Sequence, residues 1–311
     1  MKRNLLIAAI ALMAVAFVSC QKDGAFNPKH KLAKVYNEWT RTTVTTDASG
    51  STTRIDSLKP YVSQEWTWGD KTLASIKNMD SDGRVWETVT YTYDDKNRIT
   101  GCAGADNEKA EYIYNDDKKL QFVKISQGEN YEVVMEIAYD GKVPASITTT
   151  SKYTFKNLSN FAKSVIPSYI CDAMEAEELT AKTTTVSYTY TSAIEWDGKN
   201  ISQVVTTGED NYKHTVTYEY DGKLNPTTGM YAVMDNDGGE YAAIYSKNNI
   251  TKRTESYVDG NRTIIEENAF EYEYDGKMPV KCITTVVRES EILGTNTKTT
   301  TVNTTTYEYT K

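Results

Sequence analysis

The sequence predicts an all-β fold: an antiparallel up-and-down meander of repeated hairpins, closed or coiled into a barrel-like sheet, with one short helical insertion. Three observations predict it. The chain of 311 residues carries 43 Thr and 23 Tyr, and such branched and aromatic side chains pack well on a pleated surface. An aromatic-x-aromatic motif followed by a turn and a Lys recurs along most of the chain. Between the motifs, apolar and polar residues alternate with the period of two that belongs to a strand.

Composition excludes several classes before any motif is read. With 17 Gly, 4 Cys and 11% aromatic residues, the chain is not collagen-like, disulfide-dense or disordered. A mean hydropathy of -0.57 and a single long apolar run exclude a bundle of membrane helices. Two His leave little room for His-based catalysis or a multi-His metal site. The length allows one large β domain or two smaller ones, and either suffices for a substantial core.

The apolar run is N-terminal and reads as an export signal over residues 1–19. Lys2 and Arg3 form its positive start, and the stretch from Leu5 to Val18 is too short for a ~20-residue span. Phe17-Val18-Ser19-Cys20 resembles the lipobox of bacterial lipoproteins, with Phe17 departing from the usual Leu. That resemblance implies a diacylglycerol on the Cys20 thiol and cleavage that leaves Cys20 as the new N-terminus. Gln21-Lys22-Asp23 resembles the short acidic, lysine-containing export tags of Bacteroidota surface lipoproteins, which implies an outer-membrane address facing the cell exterior. Residues 20–30 read as a lipidated tether and 31–311 as one repetitive β domain. The formal net charge is -8, and loss of Lys2 and Arg3 makes the mature chain -10. Such an acidic chain without a basic cluster repels nucleic acid, so the membrane, through the lipid, is the partner the sequence implies.

The repeats follow in order. They are Trp66-Thr67-Trp68-Gly69-Asp70-Lys71, Tyr91-Thr92-Tyr93-Asp94-Asp95-Lys96, Tyr112-Ile113-Tyr114-Asn115-Asp116-Asp117-Lys118 and Ile137-Ala138-Tyr139-Asp140-Gly141-Lys142. The later copies are Ile194-Glu195-Trp196-Asp197-Gly198-Lys199, Tyr218-Glu219-Tyr220-Asp221-Gly222-Lys223 and Tyr272-Glu273-Tyr274-Asp275-Gly276-Lys277. Ala243-Ile244-Tyr245-Ser246-Lys247 is a degraded copy and Tyr307-Glu308-Tyr309 a half copy. The second aromatic returns roughly every 21–29 residues, which makes each unit a β-hairpin and the chain a meander of about nine. Asp-Gly supplies the positive φ of a tight turn. Ser81-Asp82-Gly83, Asn236-Asp237-Gly238 and Asp47-Ala48-Ser49-Gly50 close hairpins at the opposite end. Alternation such as Tyr212, His214, Val216, Tyr218 and Tyr220 against Lys213, Thr215, Thr217 and Glu219 gives each strand one packed and one wet face. A sheet of roughly seventeen strands is too wide to stay open, and closure removes its aggregation-prone edges.

The doubled interval between Tyr139 and Trp196 holds the insertion. Leu158, Phe161, Ala162, Val165, Ile166, Tyr169, Ile170, Ala173 and Met174 recur at helical spacing, and Pro167 divides them. Helix is expected over about 157–179, as a plug on an apolar barrel end rather than a mobile lid.

The chemistry-bearing residues are few. Asp235-Asn236-Asp237-Gly238-Gly239-Glu240 has the acidic density of a calcium loop without the EF-hand spacing and reads as a turn. His214 sits on an apolar face and reads as a hydrogen-bonded core residue. Cys102, Cys171 and Cys282 are too far apart for a zinc motif, and at most one pair of them can bridge. No phosphate loop, nucleophile elbow or metalloprotease motif occurs, and no cofactor is implied. Trp66 and Trp68 occupy ordinary repeat positions. Trp86, beside Thr88, Thr90 and Thr92, falls on the polar face and is the candidate platform for a glycan or protein ligand.

The Tyr91 to Thr100 unit is similar to the YD repeat of Rhs-type proteins, which build β shells. A closer resemblance is to a Bacteroidota lipoprotein family of unknown function with a porin-like β fold, carried by the lipobox, the Tyr-x-Tyr-Asp hairpins and the length. It implies architecture and no functional residues. The expected function is therefore non-catalytic binding or a structural role in a surface lipoprotein. An outer-membrane pore and an envelope hydrolase are the alternatives, the first because aromatic pairs at strand ends resemble membrane girdles.

Overall fold

The computed structural model describes residues 25–105, 107–127, 131–153, 186–209, 212–230, 241–259, 262–292 and 295–310. The signal segment, Cys20, the Gln21-Lys22-Asp23 tag, the helical insertion, Cys171 and the Asp235 to Glu240 turn lie outside them.

Among the described residues, the alternating segments form sixteen strands. The first eight are β1 (Leu32–Asp47), β2 (Gly50–Trp68), β3 (Leu73–Met79), β4 (Val85–Tyr93), β5 (Ile99–Ala103), β6 (Glu108–Tyr114), β7 (Leu120–Gln127) and β8 (Tyr131–Asp140). The second eight are β9 (Val143–Tyr153), β10 (Val186–Asp197), β11 (Asn200–Thr207), β12 (Lys213–Leu224), β13 (Asn248–Asp259), β14 (Arg262–Asp275), β15 (Met278–Ile292) and β16 (Thr295–Tyr309). Each strand pairs antiparallel with its sequence neighbours, and β1 pairs with β16 through Tyr36↔Thr306 and Thr42↔Thr300, so the sheet is a closed barrel. Closure leaves no edge strand, which is the physical advantage of the wide meander.

Three details differ from the sequence reading. The degraded repeat is not a hairpin: Tyr241–Tyr245 forms a short helix, α1, in which Tyr241, Ala242 and Ile244 are buried. Consecutive apolar residues there give no one-sided strand face, and the Ala pair favours helix. Asp221-Gly222 is not a turn either, because β12 continues through it to Leu224 and the chain returns through a longer connection. Phe26 is buried and its ring lies 5.9 Å from that of Trp68, so packed structure begins inside the expected tether.

Where the turns are tight, their chemistry is as expected. Asp140 pairs with Val143 and Asp197 with Asn200 across two-residue loops whose glycines, Gly141 and Gly198, have φ of 56° and 61°. Units without glycine use longer loops. There Asn97 and Lys118 take the positive φ, and the side chains of Asp94 and Asn115 accept backbone N–H groups from Arg98 and Lys119.

The packed face points into the barrel. Trp66, Ile76 and Val89 stand opposite one another on β2, β3 and β4, as do Ala110, Ile125 and Val133 on β6, β7 and β8. Ile125, Val133 and Ile201 have no exposed surface, and Ile147 and Leu120 almost none. The outer face carries Lys77 opposite Thr88, Glu111 opposite Lys124, Glu136 opposite Thr148, Gln203 opposite Thr217, Thr254 opposite Glu267 and Lys281 opposite Thr306. The outer face of the wall is polar, and the packed part of the inner face is apolar.

Candidate functional site

The rim that carries the repeats is built by one device used around the barrel. At the second aromatic of each hairpin the register slips by a bulge: before Trp68, Tyr93, Tyr114, Tyr139, Trp196, Tyr220 and Tyr274. A bulge removes a residue from the ladder and frees backbone groups. The next aromatic around the barrel claims the carbonyl of the residue paired with its predecessor. Tyr93 Oη donates to Leu73 O at 2.7 Å, Tyr114 to Ile99 O at 2.8 Å and Tyr139 to Leu120 O at 2.9 Å. Trp196 Nε1 donates to Pro144 O at 2.7 Å, Tyr220 Oη to Ile201 O at 2.6 Å and Tyr309 Oη to Pro279 O at 2.7 Å. Trp68 Nε1 closes the ring on Leu32 O at 2.6 Å, across the seam where β1 meets β16.

Tyr274 is the exception. It bonds the Asp221 carboxylate and accepts from Asn249, because the β12–β13 connection replaces a tight turn at that point. Cations cover several of these rings: Arg98 over Tyr114 at 4.5 Å, Lys119 over Tyr139 at 4.8 Å, Lys31 over Trp68 at 5.2 Å and Lys223 over Tyr274 at 5.4 Å. The aromatic pairs therefore point inward and hold neighbouring hairpins together. They do not form a lipid-facing girdle.

Inside, the barrel has two unlike sectors. From β3 to β11 the inner face is packed, and the cluster extends to Tyr241, Ala242 and Ile244 of α1. From β13 through β16 to β2 it is polar and largely half-exposed, apart from a second packed cluster at the aromatic rim that includes Leu32, Val35 and Trp66. Register places Asn303, Trp39 and Leu58 in one row on β16, β1 and β2, with Thr305, Asn37 and Tyr61 in the row nearer the aromatic rim. On the far side Asn268, Val286, Thr301, Arg41 and Asp56 make a third row, and the Arg41 guanidinium lies 5.3 Å from the Trp39 ring.

A charged group stands at the border of the two sectors. His214, only 1% exposed, places Nε2 3.1 Å from Glu255 Oε2, while the Arg253 guanidinium bonds the other oxygen. Burial alone would raise the Glu255 carboxyl, but the His214 bond and the charge of Arg253 hold it below the usual range. Arg288 Nε pairs with Glu266 Oε1 at 2.8 Å in the adjacent strands. At the other border, Trp66 Nε1 donates to Gln64, Gln64 to Asn78 and Asn78 to Glu87, at 3.1, 3.1 and 3.3 Å. Burial there raises the Glu87 carboxyl. These are structural networks, with both oxygens of Glu255 committed to His214 and Arg253.

The sequence candidates fall in different places. Trp86 is on the outer wall beside Thr88, half-buried. Trp66 is buried in the core, with Trp68 packed against it. His214 is the hydrogen-bonded core residue expected of it. Cys102 and Cys282 are buried and unbridged, and burial pushes the Cys102 thiol up to about 12. The polar inner sector was missed, because nothing in the repeat marks Trp39, which lies before the first full copy.

No protein-family model matches the sequence, and no curated protein matches it. Among solved structures, a porin-like protein from Bacteroides uniformis aligns over 88% of this chain and 97% of its own, with TM-score 0.32 and 11% identity. A porin-like protein from Bacteroides vulgatus aligns over 91% and 99%, with TM-score 0.35 and 11% identity. OprB of Pseudomonas putida covers 88% of this chain and 92% of its own, at TM-score 0.29 and 5% identity. Residue roles do not transfer at such identities.

Proposed function

We propose that this chain is a lipid-anchored envelope lipoprotein whose barrel stands in water at the outer membrane and binds a ligand without catalysing a reaction. The observation that carries this reading is the polarity of the wall. A spanning barrel presents an apolar band to lipid, whereas here Thr, Lys, Glu and Gln occupy the outer positions on strand after strand. Exposed apolar residues on that face, such as Ile55, Ile113, Ile265 and Val287, are scattered. A Lys or Glu facing lipid at mid-depth costs several kcal/mol, so anchorage falls to the lipid on Cys20. The half-exposed inner sector from β13 to β2 is the surface left for a ligand. The aromatic ring of clasps gives it a fixed frame, since it ties each hairpin to the next around the barrel.

The test has two arms. Fatty-acid labelling of wild type beside Cys20→Ala, with protease probing of intact cells after Gln21-Lys22-Asp23 are replaced by alanines, reads anchorage and address. Undiminished labelling of Cys20→Ala, or unchanged surface exposure without the tag, removes the corresponding step. The pore reading has the closed wall and the polar inner sector in its favour. Reconstitution of the mature protein into planar bilayers decides it, since steady single-channel conductance would replace the binding reading with transport.

A further inference from the structure

The geometry points to a binding site for a neutral oligosaccharide on the inner wall between β14 and β2, with Trp39 as its stacking platform. This rests on the binding reading above and names its ligand class.

Trp39 is half-buried on the inner face, outside the ring of clasps, and among the described residues no backbone carbonyl claims its indole N–H. The other tryptophans on the inner face are each committed: Trp66 to Gln64, Trp68 to Leu32 O and Trp196 to Pro144 O. The residues around Trp39 are those that recognise hydroxyls: Asn37 and Thr305 one row below, Asn303 beside it, and Thr301 and Arg41 one row above. An aromatic plane supplies the apolar contact for the C–H face of a sugar ring, and short amides and hydroxyls match its equatorial donors and acceptors.

Two acceptors on this wall are buried and unmatched. Asn268 is 7% exposed, and among the described residues its Oδ1 has no hydrogen-bond partner; the Oδ1 of Asn37 is likewise buried without one. A buried amide oxygen left unpaired is costly, so a site that holds two on one face is matched to a ligand rich in O–H donors. Asn268 and Asn37 are three strands and two rows apart with Trp39 between them, a separation of about 20 Å from strand spacing and rise. That span fits a chain of several rings rather than a single sugar.

Charge selects the neutral class. Arg253 is paired with Glu255, Arg288 with Glu266, and Arg54 with Asp56. Arg253, Arg288 and Arg54 hold carboxylates that a polyanion would have to displace, while Arg41 lies over the Trp39 ring. Trp86 has none of this surrounding. Thr88, Thr90 and Thr92 continue its face on the outer wall.

The test titrates the mature lipoprotein with hexasaccharides of β-1,3-glucan, β-1,4-glucan, α-1,4-glucan and mannan, and with a galacturonic acid hexamer, read by calorimetry. Wild type is expected to bind at least one neutral hexamer. Trp39→Ala and Asn268→Ala should each weaken that binding about tenfold or more, as hot-spot truncations do. Trp39→Phe should retain part of it, and Trp86→Ala should leave it unchanged. Circular dichroism of each variant separates lost binding from lost fold, and Trp39→Phe carries the test if Trp39→Ala does not fold. Binding by the uronic acid hexamer alone, binding that survives Trp39→Ala, binding lost in Trp86→Ala, or no neutral hexamer bound by wild type would each overturn the proposal. Labelling on Cys20 and bilayer conductance are untouched by any of these results, so failure here is distinguishable from failure of the anchored-barrel reading.

Discussion

Removing one hydroxyl from the rim tests whether the aromatic ring is a clasp or simply a belt of packed rings. In Tyr93→Phe the ring stays in the core and only the bond from Oη to Leu73 O, 2.7 Å long, is lost. Leu73 is 1% exposed and lies at the bulge opposite Trp68. A net hydrogen bond contributes about 0.5–1.5 kcal/mol, and a buried carbonyl left unmatched raises the cost to about 1–3 kcal/mol. With an m of about 3 kcal/mol/M in urea, the midpoint falls by roughly 0.3–1 M at unchanged m. Tyr36→Phe is the control, since Tyr36 Oη donates at 2.9 Å to Glu308 on the wet outer face and its loss should cost less than about 0.5 kcal/mol. Tyr220→Phe removes a second, distant clasp to Ile201 O, and the double variant should be additive within about 0.5 kcal/mol. If Tyr93→Phe and Tyr36→Phe have the same midpoint, the ring acts by packing alone and the clasp reasoning is wrong.

Other outcomes follow from single contacts. Because Glu255 is held below the ordinary carboxylate range, its contribution is complete above the unfolded value and is lost as pH falls through the folded one. Glu255→Gln should therefore flatten the acid limb of a pH–stability curve; an unchanged limb would contradict this. Cys102 and Cys282 are buried, so in a Cys171→Ser background of the unlipidated chain a thiol reagent at pH 8 should label neither until denaturant is added. At Gly208 an added Cβ would meet the Tyr190 ring at 2.5 Å, and that ring packs edge-on against Tyr212 at 5.4 Å. Gly208→Ala should cost about 1–3 kcal/mol as overpacking, read as a lowered thermal midpoint.

Much of the architecture was legible because β structure writes its geometry locally. Alternation with period two assigned inner and outer faces along β12, and Asp-Gly located the turns at Gly141, Gly198 and Gly276. The same local rule failed at Asp221-Gly222, where a longer connection carrying α1 replaced the hairpin, and at Ala243 to Lys247, where the aromatic spacing outlived the strand. The role of His214 was foreseen from its face, although its partner Glu255 is 41 residues away.

The sequence by itself determined the class, the repeat and the buried face, since each rests on residues adjacent along the chain. Only the tertiary structure decided the strand count of sixteen, the closure of β1 on β16 and the reach of each second aromatic to its neighbour's bulge. It alone also split the interior into a packed sector and a polar one. Those features depend on which strands meet across the seam. Trp39, Asn37, Asn303 and Asn268 come from opposite ends of the chain. They share a wall because an antiparallel sheet wide enough to curl brings its first and last strands into register.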